Sequence, residues 1–348
     1  VIPQKHDKIA KETKMNQSTK RKFLRTALCG LVAGLCLPTS AAHAADEGYP
    51  SRPIKFVVPY TAGGSNDVVG RVLAQKLSTY WGVPIIVENR PGAGGNLGAA
   101  QVARSAPDGY TFLVTPNNLL TMNPYIYKKT GVGYDPIKDF APVSLMATGP
   151  ILLATNAKLP VNSVKDLIAY AKANPGKLSY ASAGIGTPHH LSAELFKSLT
   201  GIEMVHVPYK GAVPAISDLT AGRVDVMFGI PNSLMPFVKT GQLKALAVSG
   251  LKPSSLLPEL PTVDASGVPG FDSSLWIGLS TAAGTPSAVI TKVTQGIAQA
   301  MHDPEVKASL EAQGLSPVSS TPQELEALIQ HDAARWSKLI DERQLTAD

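Results

Sequence analysis

Cysteine is nearly absent: the 348-residue chain holds two, Cys29 and Cys36, both in one apolar stretch near the amino end. The remainder has none, which excludes a disulfide framework and thiol catalysis there. Net charge is also missing once the chain is divided. The formal charge of +6 suggests a polyanionic partner, but residues 1–44 carry eight basic side chains and two acidic ones, leaving 24 of each sign in the rest. A neutral body offers no electrostatic footprint for nucleic acid or a membrane surface, so neither is expected as a partner. Long apolar runs are lacking too, since Thr26 to Leu37 is too short to span a bilayer. No internal repeat, low-complexity tract or long linker interrupts the body.

The amino end reads as an export signal. Lys20-Arg21-Lys22 supplies a positive region, Thr26 to Leu37 the apolar stretch, and Ala42-His43-Ala44 an A-x-A cleavage site. Residues 1–44 are therefore expected to be a leader, with residues before Met15 upstream of the signal proper. Cleavage near Ala44 would release a periplasmic protein beginning near Ala45. Thr19 to Arg25 approaches the twin-arginine pattern with Lys in place of the first Arg, which leaves the Sec and Tat routes both open. Each cysteine follows a Leu instead of the small residue of a lipoprotein signal, so no lipid anchor is expected.

From Ile54 onward, short β-branched runs alternate with helical patterns of about ten to fifteen residues, the signature of βαβ units and mainly parallel sheets. Strands are expected at Ile54–Val58, Ile85–Glu88, Tyr110–Thr115, Ile151–Thr155, Leu178–Ser182, Met204–Val207, Val224–Phe228 and Leu243–Ser249. Ser163 with Asp166 and Thr321-Pro322 with Glu324 read as capping boxes; the second opens a helix expected to run through Trp336. Two segments, Pro142–Thr155 and Phe271–Pro286, are extended where a helix is due. Strands of this kind can carry the chain from one sheet to another. They predict an inserted second domain, with 45–147 plus 279–348 as one lobe and 148–278 as the other.

One design occurs twice. Phe56 to Asp67 (FVVPYTAGGSND) and Leu178 to Phe196 (LSYASAGIGTPHHLSAELF) each run from an apolar strand through a Gly-rich loop into a helix. A helix start carries unpaired N–H groups and the positive end of the macrodipole, so each loop is a ready anion seat. Tyr60, Thr61, Ala62, Gly63, Gly64 and Ser65 form the first, and Ser182, Ala183, Gly184, Gly186 and Thr187 the second. Asn117, Asn118 and Tyr209 sit at strand carboxyl ends, the edge where open α/β sheets bind ligands. Lys210, beside Tyr209, reads as a solvated surface charge, and Asp218 and Asp225 as local partners. His189 and His190 invite a metal or catalytic reading, but His190 and Glu194 lack the second His of a zinc motif, and a capped or core role meets the same facts.

Other chemistries are missing their signatures. Gly92-Ala93-Gly94 begins a dinucleotide fingerprint, yet Gly98 comes one residue late and the run follows the lobe's second strand. It reads as a rigid turn, and no Gly-Lys-Ser/Thr makes a phosphate loop. Neither cofactor nor metal is expected. Without a G-x-S-x-G elbow, a secreted serine hydrolase using Ser182 or Ser65 is the weaker alternative.

Taken together, PYTAGGSND, ENRPGAGGNLG, SAGIGTPHHLSAELF, HVPYKG with DLTAGRVDVMF, and the W-x-G-L segment at Trp276 to Leu279 resemble the Bug family, the periplasmic solute receptors of tripartite tricarboxylate transport systems. The resemblance covers essentially the whole mature chain. It implies a periplasmic-binding-protein-like Venus flytrap of two α/β lobes joined by a two-strand hinge, monomeric and not an enzyme. It also implies a small organic acid, dicarboxylate, tricarboxylate or aromatic, held between Tyr60–Ser65 and Ser182–Thr187, and partners that are membrane subunits or a sensor protein. Gly229 stands where many relatives carry a polar or acidic side chain, which favours a plain carboxylic acid over an amino acid.

Overall fold

A computed structural model describes residues 48–347. The expected leader, its cleavage site and both cysteines lie outside the described residues. In chain order the elements are β1 (Ile54–Val58), α1 (Ser65–Trp81), β2 (Ile85–Asn89), a 3₁₀ turn (Ala93–Gly95), α2 (Asn96–Ala103), β3 (Thr111–Pro116), the short α3 (Asn117–Thr121) and α4 (Asn123–Ile126), and β4 (Phe140–Gly149). Next come β5 (Leu152–Asn156), α5 (Val164–Ala173), β6 (Ser179–Ser182), α6 (Pro188–Thr200), β7 (Val205–Pro208), α7 (Ala212–Ala221), β8 (Val226–Gly229), α8 (Pro231–Lys239) and β9 (Leu243–Val248). The chain finishes with β10 (Leu275–Ala282), α9 (Ser287–Met301), α10 (Pro304–Glu311), the short β11 (Ser316–Pro317) and α11 (Pro322–Glu342). Each strand expected from the sequence appears within two residues of its limits.

The strands form two sheets, one ordered β11-β4-β10-β3-β1-β2 and the other β7-β6-β8-β5-β9. Both are mixed, which corrects the expectation of mainly parallel sheets. β2, β1 and β3 are parallel, as are β7, β6 and β8. β10 opposes both its neighbours β3 and β4, and β5 opposes β8 and β9. β11 also opposes β4 but enters from α10 of its own lobe, whereas β5 and β10 share one cause. A βαβ strand ends at the cleft edge of its sheet, whereas β5 and β10 begin there because the chain has just crossed from the other lobe, so they must run the opposite way.

The first crossing is pinned at Ile151, whose N–H donates to Ser249 Oγ at 2.7 Å while Ser249 N–H returns to Ile151 O at 2.7 Å. The second is pinned at Ser274, whose carbonyl accepts from Asn117 Nδ2 at 3.4 Å. Extended structure expected over Phe271–Pro286 is confined to Leu275–Ala282, every residue of which is buried.

Apolar strand faces and helix stripes fill the space between layers. Phe271, on the segment leading to the second crossing, packs with Phe196 of α6 and Phe228 of β8 at centroid distances of 5.7 to 6.1 Å. α11 runs past Trp336 to Glu342 and is tied to β10 where Trp276 Nε1 donates to Asp332 Oδ2 at 2.8 Å. Both predicted caps form. Ser163 Oγ accepts from Asp166 N–H, although Asp166 returns its bond to Asn162 N–H, and Thr321 with Glu324 makes the full reciprocal box.

Candidate functional site

Between the sheets lies a cavity of about 250 Å³. Its wall includes Gly64, Thr187, Gly211 and Ile230, the residues that precede the first turns of α1, α6, α7 and α8, and Pro116, which precedes α3. None of these helix starts has a side-chain cap. Away from the cavity, α5, α10 and α11 are capped by Ser163, Asp303 and Thr321, whereas α2 and α9 also start without a side-chain cap. Four helices of nine residues or more therefore aim unpaired donors and positive dipole ends at one volume. The rest of the wall is Tyr60, Ile151, Ala183, Pro188, Ala212 and Leu275 with Thr61, Ser65, Asn66, Asn118 and His189, and no lining side chain is charged. A larger cavity of about 360 Å³ opens beside the crossings, but none of its lining residues begins a helix.

Three of the loop glycines, Gly63, Gly184 and Gly186, do not supply free donors. Gly63 N–H, at φ +87°, donates to Asp67 Oδ2 at 2.9 Å. That carboxylate also accepts from Arg71 and Asn89, and Asn89 reaches Tyr60 O at 3.0 Å. Burial raises Asp67, but the bonds from Arg71, Gly63 and Asn89 outweigh it and hold the carboxyl below the usual range. In the second loop Gly184 N–H donates to Ser182 Oγ, Gly186 N–H to His190 Nδ1, and Thr187 N–H to Gly184 O. Internal bonds thus set the loop shapes, and the open donors are first-turn amides such as those of Ser65, Asn66, His189 and His190.

Two imidazoles brace the second loop. His190 sits at 3.2 Å from the Gly186 amide, and His206 Nε2 at 2.7 Å from Ser182 Oγ. Their rings stack at 4.2 Å, and Tyr180 stacks on His206 at 4.7 Å. Burial lowers the His190 pKa to about 3 and that of His206 to about 4, so both are neutral at ordinary pH and His190 can accept the amide proton. Behind them Tyr180 and Lys197 donate to Glu194 Oε1 at 2.6 and 2.9 Å. Arg343, following α11 of the other lobe, reaches Glu194 Oε2 at 3.3 Å. Burial raises the Glu194 carboxyl, yet the Tyr180 and Lys197 bonds prevail and keep it below the usual range.

Of the residues singled out in the sequence, Tyr60, Thr61, Gly64, Ser65, Ala183 and Thr187 line the cavity. Ala62, Gly63, Asn117, Ser182, Gly184, Gly186 and Tyr209 do not. Asn117 is buried against the crossing at Ser274, and its neighbour Asn118 faces the cavity instead. Ser182 is fully buried under His206. That pair has hydrogen-bond geometry, but a hydroxyl with no exposure cannot meet a substrate. Gly186 packs against Asn123 and Ile126 of the other lobe. Tyr209 turns away and donates to Asp218 Oδ2 at 2.7 Å, Asp225 takes both donors of Ser179, and Lys210 is exposed. The Gly92–Gly98 turn stands behind the site, where Gly94 O accepts from Tyr60, Asn118 and Asn123.

Asn66 and the helix starts at Gly211-Ala212 and Ile230-Pro231 were not expected at the site, Asn118 was read only as a strand-end residue beside Asn117, and His189 was read as a capped or core histidine. The two helix starts were visible as strand-to-helix junctions, in VPYKGAVP and FGIPN, had backbone been weighed there before side chains. Among the described residues no group of three or more His, Cys, Asp or Glu could hold a metal, and no helix is long and apolar enough to cross a membrane.

The tripartite tricarboxylate transporter family receptor profile matches residues 69–345. Protein BugT of Bordetella pertussis is 35% identical over 315 residues, 89% of this chain and 93% of that protein. The structure of Rpa4515 from R. palustris with adipate superposes with a TM-score of 0.78 at 35% identity, covering 86% of this chain and 99% of the other. MatC from Rhodopseudomonas palustris, solved with bound malate, gives 0.73 at 30% identity, covering 84% and 100%.

Proposed function

Because the chain belongs to the tripartite tricarboxylate transporter receptor family, we propose that it is a periplasmic receptor that captures a small carboxylic acid between its lobes and presents it to the membrane subunits of a tripartite uptake system. The observation that carries this reading is the convergence of uncapped helix starts on a cavity without charged side chains. A carboxylate there is neutralised by dipoles and amides instead of a buried Arg or Lys, which suits reversible capture, and bridging waters extend the set of donors at little cost. Relatives solved with adipate and malate support the ligand class.

We take the crossings at Pro150–Ile151 and Ser274–Leu275 as the lobe limits, a few residues from those read in the sequence, because β4 and β10 stay paired out to Gly149 and Leu275. Closure about these two points buries the ligand between α1 and α3 on one side and α6, α7 and α8 on the other. The protein acts as a monomer and performs no chemistry on its ligand.

A thermal-shift screen of organic acids tests the reading. A carboxylate at a hundredfold excess over its dissociation constant should stabilise the protein by about 2.7 kcal/mol. If amides or sugars shift the melting temperature and no carboxylate does, the reading fails. A sensor role would use the same cavity, and capture of membrane subunits with and without ligand separates it from transport. Ester turnover that disappears in Ser182→Ala would instead favour the hydrolase alternative.

A further inference from the structure

His189 is a buried polar side chain without a partner. It is 8% exposed and its ring forms part of the cavity wall; its Nδ1 is enclosed without a partner, while its Nε2 is bonded to no protein group and is not among the enclosed atoms. Its neighbour His190 is engaged with Gly186, so the two adjacent histidines of α6 have different work. Burial lowers the His189 pKa to about 4, which leaves a neutral imidazole that can offer one N–H and one lone pair. Across the cavity, on α1, Asn66 also lines the wall with its Oδ1 unpaired. Around them Pro116, Ile151, Pro188, Ile230 and Leu275 are apolar. The enclosed Nδ1 and Oδ1 are out of reach of the cavity, so the polar atom His189 leaves for what fills it is Nε2, and a polar group unpaired in an apolar wall is disfavoured until a ligand pairs with it.

We propose that His189 is a specificity residue, whose imidazole Nε2 hydrogen-bonds a second oxygen-bearing group of the bound acid while the helix starts hold its carboxylate. The inference rests on the receptor reading above and narrows it. The preferred ligand is a bifunctional acid, with a second carboxyl, hydroxyl or keto oxygen, over a monofunctional acid of the same skeleton. Because the α6 amide of His189 belongs to the backbone, replacing the side chain leaves the carboxylate seat in place and removes only the second contact.

The test is calorimetric titration of the full-length mature protein and two variants with matched pairs: adipate against hexanoate, malate against butyrate, terephthalate against benzoate. The wild type should favour the bifunctional member of at least one pair by about tenfold or more, the scale of one hydrogen bond to a buried group. His189→Phe should bring that pair within about threefold, and His189→Asn should retain part of the preference. The Phe variant should melt no lower than wild type, since it removes a buried polar atom that has no partner. Equal wild-type binding within every pair overturns the assignment, as does a preference that survives in His189→Phe. Binding of no acid at all sinks the receptor reading itself, an outcome distinct from either.

Discussion

Thr187-Pro188 and Thr321-Pro322 are the same two residues doing opposite things. Both open a helix with Pro at its first position, and the Thr backbones nearly coincide, at φ −77°, ψ 157° and φ −70°, ψ 159°. Thr321 Oγ1 accepts from Glu324 N–H, and Glu324 answers by accepting from Thr321 N–H at 2.8 Å, so the helix start is closed. Thr187 gives its hydroxyl to Gly184 O at 2.6 Å, and the residue three places on is His190, whose ring reaches back to Gly186. The first turn of α6 is thereby left open toward the cavity. An anion seat here is a helix start denied its cap, and the denial is built by loop hydrogen bonds.

Acid should separate the two helix starts first. His189, His190 and His206 all have native pKa values between about 3 and 4, lowered by burial. Unfolding returns them toward about 6.5, so below that pH the unfolded chain binds more protons and stability falls. One unit below, each histidine costs about 1 kcal/mol after allowance for partial exposure, or about 3 kcal/mol for the three. The Glu324 box behaves differently. Its carboxyl is held below the usual value by Thr321 N–H and hydroxyl, so its contribution is present above about pH 4.5 and is lost only as pH falls through the lowered value. Urea unfolding at intervals from pH 7.5 to 4.5 checks this; a stability constant down to pH 5 would mean the histidines are not buried as neutral groups.

Closing the α6 start should cost affinity. In Thr187→Asp the carboxylate can accept from the His189 and His190 amides, filling the seat from within. We expect ligand affinity to fall by about a hundredfold, near 2.7 kcal/mol, while the ligand-free protein gains about 1 kcal/mol from the new cap. The paired measurement, calorimetry with ligand and melting without it, matters because the two should move in opposite directions. Unchanged affinity in a more stable variant would show that the ligand does not use this helix start.

Strand positions were legible because β-branched runs between Gly, Pro and Asn punctuation identify themselves locally. Strand direction was not, since Leu152–Asn156 and Leu275–Ala282 read like any buried strand, and only the crossing from the other lobe reverses them. At the site, the strand-loop-helix pattern located Tyr60–Ser65 and Ala183–Thr187, but spacing cannot say which member of a pair turns inward. Of the adjacent pair Asn117 and Asn118 only Asn118 faces the cavity, and Tyr209 found Asp218 nine residues on. Nor could the sequence show that Gly63, Gly184 and Gly186 bend the loops while their own amides are occupied. A Gly-rich loop signals an anion seat, yet the donors belong to the helix that follows.

The smallest effect is the control on which the comparison depends. Thr321→Ala removes the side chain that accepts from Glu324 N–H and leaves Pro322 in place. Loss of such a cap costs about 1 kcal/mol, enough to lower the melting temperature by a few degrees in a chain of this size. α11 packs on β4 and is tied to β10 by Trp276 and Asp332, so the destabilisation should be felt globally and not as local fraying. Ligand affinity should stay within about twofold, because Thr321 is not among the residues lining the cavity. If Thr321→Ala weakened ligand binding as much as Thr187→Asp, the two helix starts would be coupled through closure of the lobes, and the difference in their caps could no longer be assigned to the ligand seat alone.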